Sequence, residues 1–299
     1  MNTPLPEYDQ QLSGFHRVYE RELLAIVDGL PLKADMRVLD VACGDGFYTR
    51  RIANRLGADG FITGVDINSA YLSEAMRAAR HAVPAKIDFV AASFDRLPFA
   101  DGTFDFVWCA QSLYTLPDPV VALNHMARIL RPGGLIAVLE NDTLHQVFLP
   151  WPVRLELPLR AAELRSFQEG SQNSSKYYVG RRLPAVLAAA GLEPLRMTTH
   201  AFDRQAPLLD AEQKLLQRYL DEISERVAPY LEATLREELH RLVFPGSPQH
   251  LLGQPYLTMT WLNVLAFGRK PLGDGRKANA SDRGFKSGTP DDDKSHSST

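Results

Sequence analysis

Val38-Leu39-Asp40-Val41-Ala42-Cys43-Gly44-Asp45-Gly46 is the stretch that decides the fold. Three aliphatic residues and one carboxylate form a short strand of the buried type. Small residues then make a turn in which the backbone can approach a ligand closely. Residues 48–56 follow with helical spacing, Ile52 and Leu56 on one face, and Gly57 as the expected C-cap. A strand, a small-residue turn and a helix in that order aim backbone N–H groups and the positive end of a helix at a bound group. Asp66 comes twenty residues after Gly46 and closes a second strand as Gly64-Val65-Asp66. An acidic side chain there is placed to accept hydrogen bonds from the ribose hydroxyls of an adenosine cofactor.

Outward from this stretch the chain alternates strand and helix. Residues 61–67 read as the second strand, and Asn68-Ser69 cap a helix that runs to residue 80. Ile87-Asp88-Phe89-Val90 and Phe104-Asp105-Phe106-Val107-Trp108 read as strands three and four. Pro119 opens a helix through Leu130, ended by Arg131-Pro132-Gly133-Gly134, and residues 135–139 make strand five. This alternation predicts a mostly parallel sheet with helices on both faces. The second half is less regular. Residues 141–175 mix Trp151-Pro152 and Pro158 with a short amphipathic stretch and a polar loop. Residues 180–190 read as a helix capped by Gly191, 192–202 as a strand, and 256–267 as a final strand. Leu216, Leu220, Ile223 and Val227, then Leu231, Leu235, Leu239 and Leu242, recur at helical spacing on either side of Pro229. From residue 271 onward apolar residues almost vanish, which predicts a disordered tail.

Composition bounds the function. The 299 residues are 45% hydrophobic and 23% charged, enough to bury a real core. A net charge of −3 gives no bulk attraction to nucleic acid. Cys43 and Cys109 lack metal-ligand spacing, so no metal is expected. The longest aliphatic run falls far short of the ~20 residues a membrane span needs. No secretory signal is visible, and a cytoplasmic setting is the expectation.

The glycine turn and Asp66 suit either a nicotinamide dinucleotide or S-adenosylmethionine. Thr49 stands where a dinucleotide fingerprint would need a third Gly or Ala. A carboxylate four residues before Gly44 is awkward beside a pyrophosphate, yet it suits a cationic amino-acid end. With these residues the chain resembles the class I S-adenosylmethionine-dependent methyltransferases, in particular the type 11 group that includes the quinone-biosynthesis C-methyltransferases. Four segments carry the resemblance across roughly residues 36–140: the stretch from Leu39 to Gly46; Gly64-Val65-Asp66-Ile67; Leu97-Pro98-Phe99 with Phe104-Asp105; and Leu130-Arg131-Pro132-Gly133-Gly134. The resemblance implies a Rossmann-like α/β fold with seven strands and a helical cap insertion, in one methyltransferase domain over 1–270. It implies that Asp40, Ala42, Cys43, Gly44 and Gly46 bind the methionine end, that Asp66 takes the ribose hydroxyls and that Ile67 packs on the adenine. Ser93 and Phe94 would line the adenine pocket; the family often has Asp where this chain has Ser93. Gln111 would face the cofactor after strand four.

The acceptor is expected to be a small, partly apolar organic molecule. Its pocket would be built from residues 141–175, and Phe148, Trp151 and Tyr178 are candidates for its lining. His145 and Asp142 are the candidate acid–base residues, with Glu140 beside them. Helices within 208–244 would cap the pocket as a lid, or else bury their leucine stripe in a homodimer. A methyltransferase acting on protein or RNA, and a catalytically silent binding protein of the same fold, are the alternatives. The lack of a basic stripe argues against RNA. The intact pair of carboxylates argues against a silent protein.

Overall fold

The computed structural model describes residues 9–80, 83–142, 146–170 and 174–272. His145 and residues 273–299 of the expected tail lie outside the described residues. In chain order, α1 (Asp9–Val18) and α2 (Glu20–Asp28) precede β1 (Arg37–Val41), α3 (Phe47–Ala53), β2 (Phe61–Asp66), α4 (Ser69–Ala78) and β3 (Lys86–Ala91). Then come β4 (Phe104–Ala110), α5 (Pro119–Ile129), β5 (Leu130–Glu140) and the two-residue β6 (Val147–Phe148). The chain continues through α6 (Val153–Gly170), α7 (Val179–Ala189), β7 (Glu193–Gln205), α8 (Asp210–Val227), α9 (Ala233–Val243) and β8 (Thr258–Arg269).

The strands form one sheet in the order β3-β2-β1-β4-β5-β8, with β1 to β5 parallel and β8 antiparallel to β5. β7 runs antiparallel along β8, and β6 adds a short pairing at Trp261 and Thr260. Among the described residues the sheet therefore has eight strands where seven were expected, β6 being the addition. Because β1 lies between β2 and β4, successive side chains go to opposite faces and are buried on both. Val38, Phe106, Trp108 and Ala137 join the core beneath α1, α2, α3, α6 and α8. Leu39, Val41, Val107 and Val138 join a second core beneath α5 and α7. The strand order reverses between β1 and β4, so a crevice opens beyond their carboxyl ends, where ligands bind in open α/β sheets.

Several local expectations change. α3 ends at Ala53 with Asn54 as its C-cap, so Gly57 is not the cap. Its N–H donates to the carbonyl of Ala34 at 2.8 Å, and a Cβ there would sit 3.1 Å from the Ala34 methyl. The 130–134 segment begins β5 instead of forming a free turn, with an irregular register opposite Phe104 and Phe106. The short amphipathic stretch is the 18-residue α6, which carries Pro158 inside it. α1 and α2 had no counterpart in the sequence reading.

Candidate active site

The turn after β1 is set by backbone conformation. Ala42, Gly44 and Gly46 have φ of 57°, 53° and 74°. At Gly46 glycine is required twice over, because a Cβ would also lie 3.0 Å from the methyl of Ala75 on α4. Cys43 donates its N–H to the carbonyl of Val65 at 2.9 Å, which ties the turn to the end of β2. Asp66 completes the tie. Its carboxylate accepts from Gly44 N–H at 2.9 Å and from Asn68 N–H at 2.8 Å, while the Asn68 side chain caps α4 through Ala70 N–H. A carboxylate has about four acceptor positions, so two remain for hydroxyl groups.

Asp40 lies under the turn, 1% exposed, and accepts a 2.6 Å hydrogen bond from the Thr49 hydroxyl. Burial pushes its carboxyl up to about 7, and the Asp66 and Asp45 charges add to the rise while the Thr49 bond opposes it. Thr49 thus orients the carboxylate, a role the sequence reading did not assign; a hydroxyl nine residues on, one turn into the helix, was the available signal. Gln111, just past β4, holds φ of 51° and donates its N–H to Leu139 carbonyl at 2.7 Å. Its side-chain oxygen is buried with no partner among the described residues. A non-glycine residue held in the left-handed region, with an unpaired amide oxygen just past the carboxyl end of β4, makes Gln111 a candidate for ligand contact.

Ile67 is 76% exposed, immediately after Asp66 at the carboxyl end of β2. Phe94 packs at the border of the second core, in the short turn that follows Ser93. The Ser93 hydroxyl is engaged by Asp95, whose carboxyl it holds below the usual range. So β1, β2 and β4 bring together Asp40, Ala42, Cys43, Gly44, Gly46, Asp66, Ile67 and Gln111, with Ser93 and Phe94 following β3.

The residues after β5 divide differently. Glu140 is buried and accepts from Ser112 N–H at 2.7 Å and Leu113 N–H at 2.5 Å, so it holds the loop after β4 in place. Burial pushes its carboxyl up to about 8. Asp142 forms an ion pair with Arg181, whose guanidinium lies over the Tyr178 ring at 5.4 Å. This clamps the end of β5 to α7, which is a poor setting for a free acid–base group. Trp151 is buried, whereas Phe148 is half exposed. Among the described residues no group of His, Cys, Asp and Glu could hold a metal ion, and no helix is long and apolar enough to cross a membrane.

S-adenosylmethionine fits this set. Gly44 and Gly46 put no side chain of their own into the turn, Asp66 keeps acceptor positions, and Gln111 offers an unpaired oxygen. Comparison with known proteins agrees. Residues 38–134 match the model of a methyltransferase domain. A ubiquinone/menaquinone biosynthesis C-methyltransferase of Rhizobium meliloti is 39% identical over 142 residues, 47% of this chain and 55% of that protein. The Xylella fastidiosa (strain M12) protein of the same description is 33% identical over 189 residues, 60% of this chain and 74% of that one. The chain thus spans between about half and three quarters of these relatives. Among solved structures, the YcgJ protein of Bacillus subtilis superposes with a TM-score of 0.54 at 17% identity, over 85% of this chain and all of that one. A SAM-dependent methyltransferase of Methanosarcina mazei gives 0.50 at 18% identity, over 81% and 95%. These two likenesses concern the fold. The turn, Asp66 and the matching relatives together place the chain in the class I S-adenosylmethionine-dependent methyltransferase family that includes the quinone-biosynthesis C-methyltransferases.

Proposed function

We propose that the protein transfers the methyl group of S-adenosylmethionine to a small, partly apolar acceptor, a ring of the quinone type being the best fit to the names its relatives carry. The observation that carries this reading is Asp66, a strand-end carboxylate that fixes Gly44 and still has acceptor positions to spare. When bound, the cofactor would supply a methyl on a cationic sulfonium, to be transferred in line to an aligned nucleophile as the carbon–sulfur bond breaks and its electron pair leaves with the neutral thioether S-adenosylhomocysteine. The chain's own residues bind, orient and exclude water. Asp66 takes the ribose hydroxyls, Ile67 and Phe94 flank the adenine, and Ser93 borders it. Asp40, once ionised, balances the cationic amino-acid end below the turn, and Gln111 contacts it from β4. A base is needed only for an acceptor that arrives protonated. His145 is then the proposed base, since Asp142 is engaged with Arg181.

Incubation with S-adenosylmethionine labelled in the methyl group, together with fractionated cell extract, tests the reading. Label is expected in a small, organic-soluble product. Label confined to protein or RNA would overturn it.

A further inference from the structure

One face of the larger core holds buried polar atoms that find no hydrogen-bond partner among the described residues. They are both ring nitrogens of His16, the Tyr48 hydroxyl, the indole N–H groups of Trp108 and Trp261, and both side-chain atoms of Asn263. Native interiors leave few such groups unpaired, because each forfeits its hydration without return. These come from α1, α3, β4 and β8, yet four of the side chains are joined in one chain of ring contacts that runs through Phe15. Trp108 lies 5.4 Å from Tyr48, Tyr48 5.3 Å from His16, and Phe15 links His16 at 6.4 Å to Trp261 at 5.2 Å. Asn263 follows Trp261 by two residues on β8, so its side chain leaves the same face of the sheet.

This aromatic chain starts at the candidate cofactor site. Trp108 is the register partner of Asp40, and Tyr48 stands two residues beyond Gly46. Leu12 of α1 lies 3.7 Å from where a Cβ on Gly44 would be, so α1 covers the turn with the same helix that carries His16. The Asp40 and Glu140 charges both bear on the Tyr48 phenol.

We infer that His16, Tyr48, Trp108, Trp261 and Asn263 form the wall that recognises the methyl acceptor, reading the oxygen substituents of a planar ring. The inference rests on the methyltransferase reading and assigns it an acceptor site. Packed aromatic rings give the wall an apolar character, and two indoles and a phenol on it donate to hydroxyl or carbonyl oxygens. Burial, reinforced by Arg50, pushes the His16 imidazole down to about 3, so it is neutral near pH 7 and offers one donor and one acceptor. Asn263 likewise offers both. An acceptor carrying hydroxyl groups would pair with each of them.

The test uses the full chain saturated with S-adenosylhomocysteine, 2-naphthol as probe and naphthalene as the oxygen-free control. Wild type is expected to bind 2-naphthol about tenfold more tightly than naphthalene. Tyr48→Phe and Asn263→Leu should each weaken 2-naphthol binding about fivefold to tenfold, the scale of one lost hydrogen bond. Both should leave naphthalene binding and S-adenosylhomocysteine affinity within twofold. Because the deleted atoms have no protein partner, neither variant should lower the melting temperature. Equal affinity for the two probes, or variants with unchanged 2-naphthol affinity, would overturn the inference. A Tyr48→Phe variant that melts lower yet binds 2-naphthol normally would also overturn it, as the sign of internal water only. Failure of wild type to bind S-adenosylhomocysteine would sink the methyltransferase reading itself, and this inference with it.

Discussion

Asp40 has a carboxyl group that water does not reach, held by one hydroxyl and surrounded by other negative charge. Its ordinary value of 3.8 becomes about 7 in the folded protein. Between those two values the native state keeps a proton that the unfolded chain has lost, so the contribution of Asp40 to stability falls as pH rises through that window. Ligand binding has the opposite sign. A cationic amino-acid end favours the ionised carboxylate, so binding expels the proton below pH 7 and expels none well above it. Affinity for S-adenosylmethionine should therefore rise up to about tenfold per pH unit between pH 5.5 and 7. Calorimetry in buffers of different ionisation enthalpy would show the released proton, and Asp40→Asn should flatten the slope. A wild-type affinity that does not vary over this range would remove Asp40 from the amino-acid end. At this scale the sequence was legible where backbone geometry dictates residue type, as at Gly44, Gly46 and the strand-end Asp66. It was not legible for Glu140, whose carboxylate serves the backbone of Ser112 and Leu113, almost thirty residues away in the chain.

Elements were legible where periodicity is carried by many residues and hidden where tertiary contacts override it. α8 was read from its leucine stripe, and Leu215, Leu216, Tyr219, Leu220, Ile223 and Val227 are all buried. They pack in the chain's own core beside α1 and α6, which leaves that stripe no free face for a homodimer. For the same reason a linker replacing 208–244 would strip the core instead of opening a lid. α1 has a weaker signal of its own, with Gly14 in its middle, and is held by contact: a Cβ on Gly14 would lie 3.7 Å from the Leu215 side chain. α6 was obscured by Pro158, which costs one backbone bond but falls early in a helix anchored by buried Leu155, Leu159 and Phe167. Leu220→Ala should thus destabilise the protein by about 2–5 kcal/mol, as a fully buried leucine does, with unchanged mass in solution. Urea unfolding and light scattering check both parts. A drop from dimer to monomer at unchanged stability would restore the interface reading of the stripe.

At the scale of the whole molecule, the parallel half of the sheet follows from strand–helix alternation, and the crevice follows from the reversal of strand order between β1 and β4. The candidate cofactor side could be proposed from the sequence because one contiguous segment, 38–66, carries most of its residues. The proposed acceptor wall draws on α1, α3, β4 and β8, which lie up to about 250 residues apart in the chain, and no local pattern marks such a meeting. One consequence concerns stability of the entire fold. A ligand that bridges the 42–46 turn, Asp66 and Gln111 joins the ends of β1, β2 and β4, and these cannot separate without releasing it. At a hundredfold excess over its dissociation constant, S-adenosylhomocysteine should add about 2.7 kcal/mol to the folded state. For a chain of this size that is a rise in melting temperature on the order of 5 °C. NAD at the same concentration should give none, because Thr49 occupies the position where the dinucleotide fingerprint calls for Gly or Ala so that helix and strand pack closely, and the Asp40 carboxylate beneath would repel a pyrophosphate. Differential scanning fluorimetry with both ligands decides the matter. A shift with NAD and none with S-adenosylhomocysteine would mean that the turn holds a dinucleotide, with the Thr49–Asp40 bond broken to admit it.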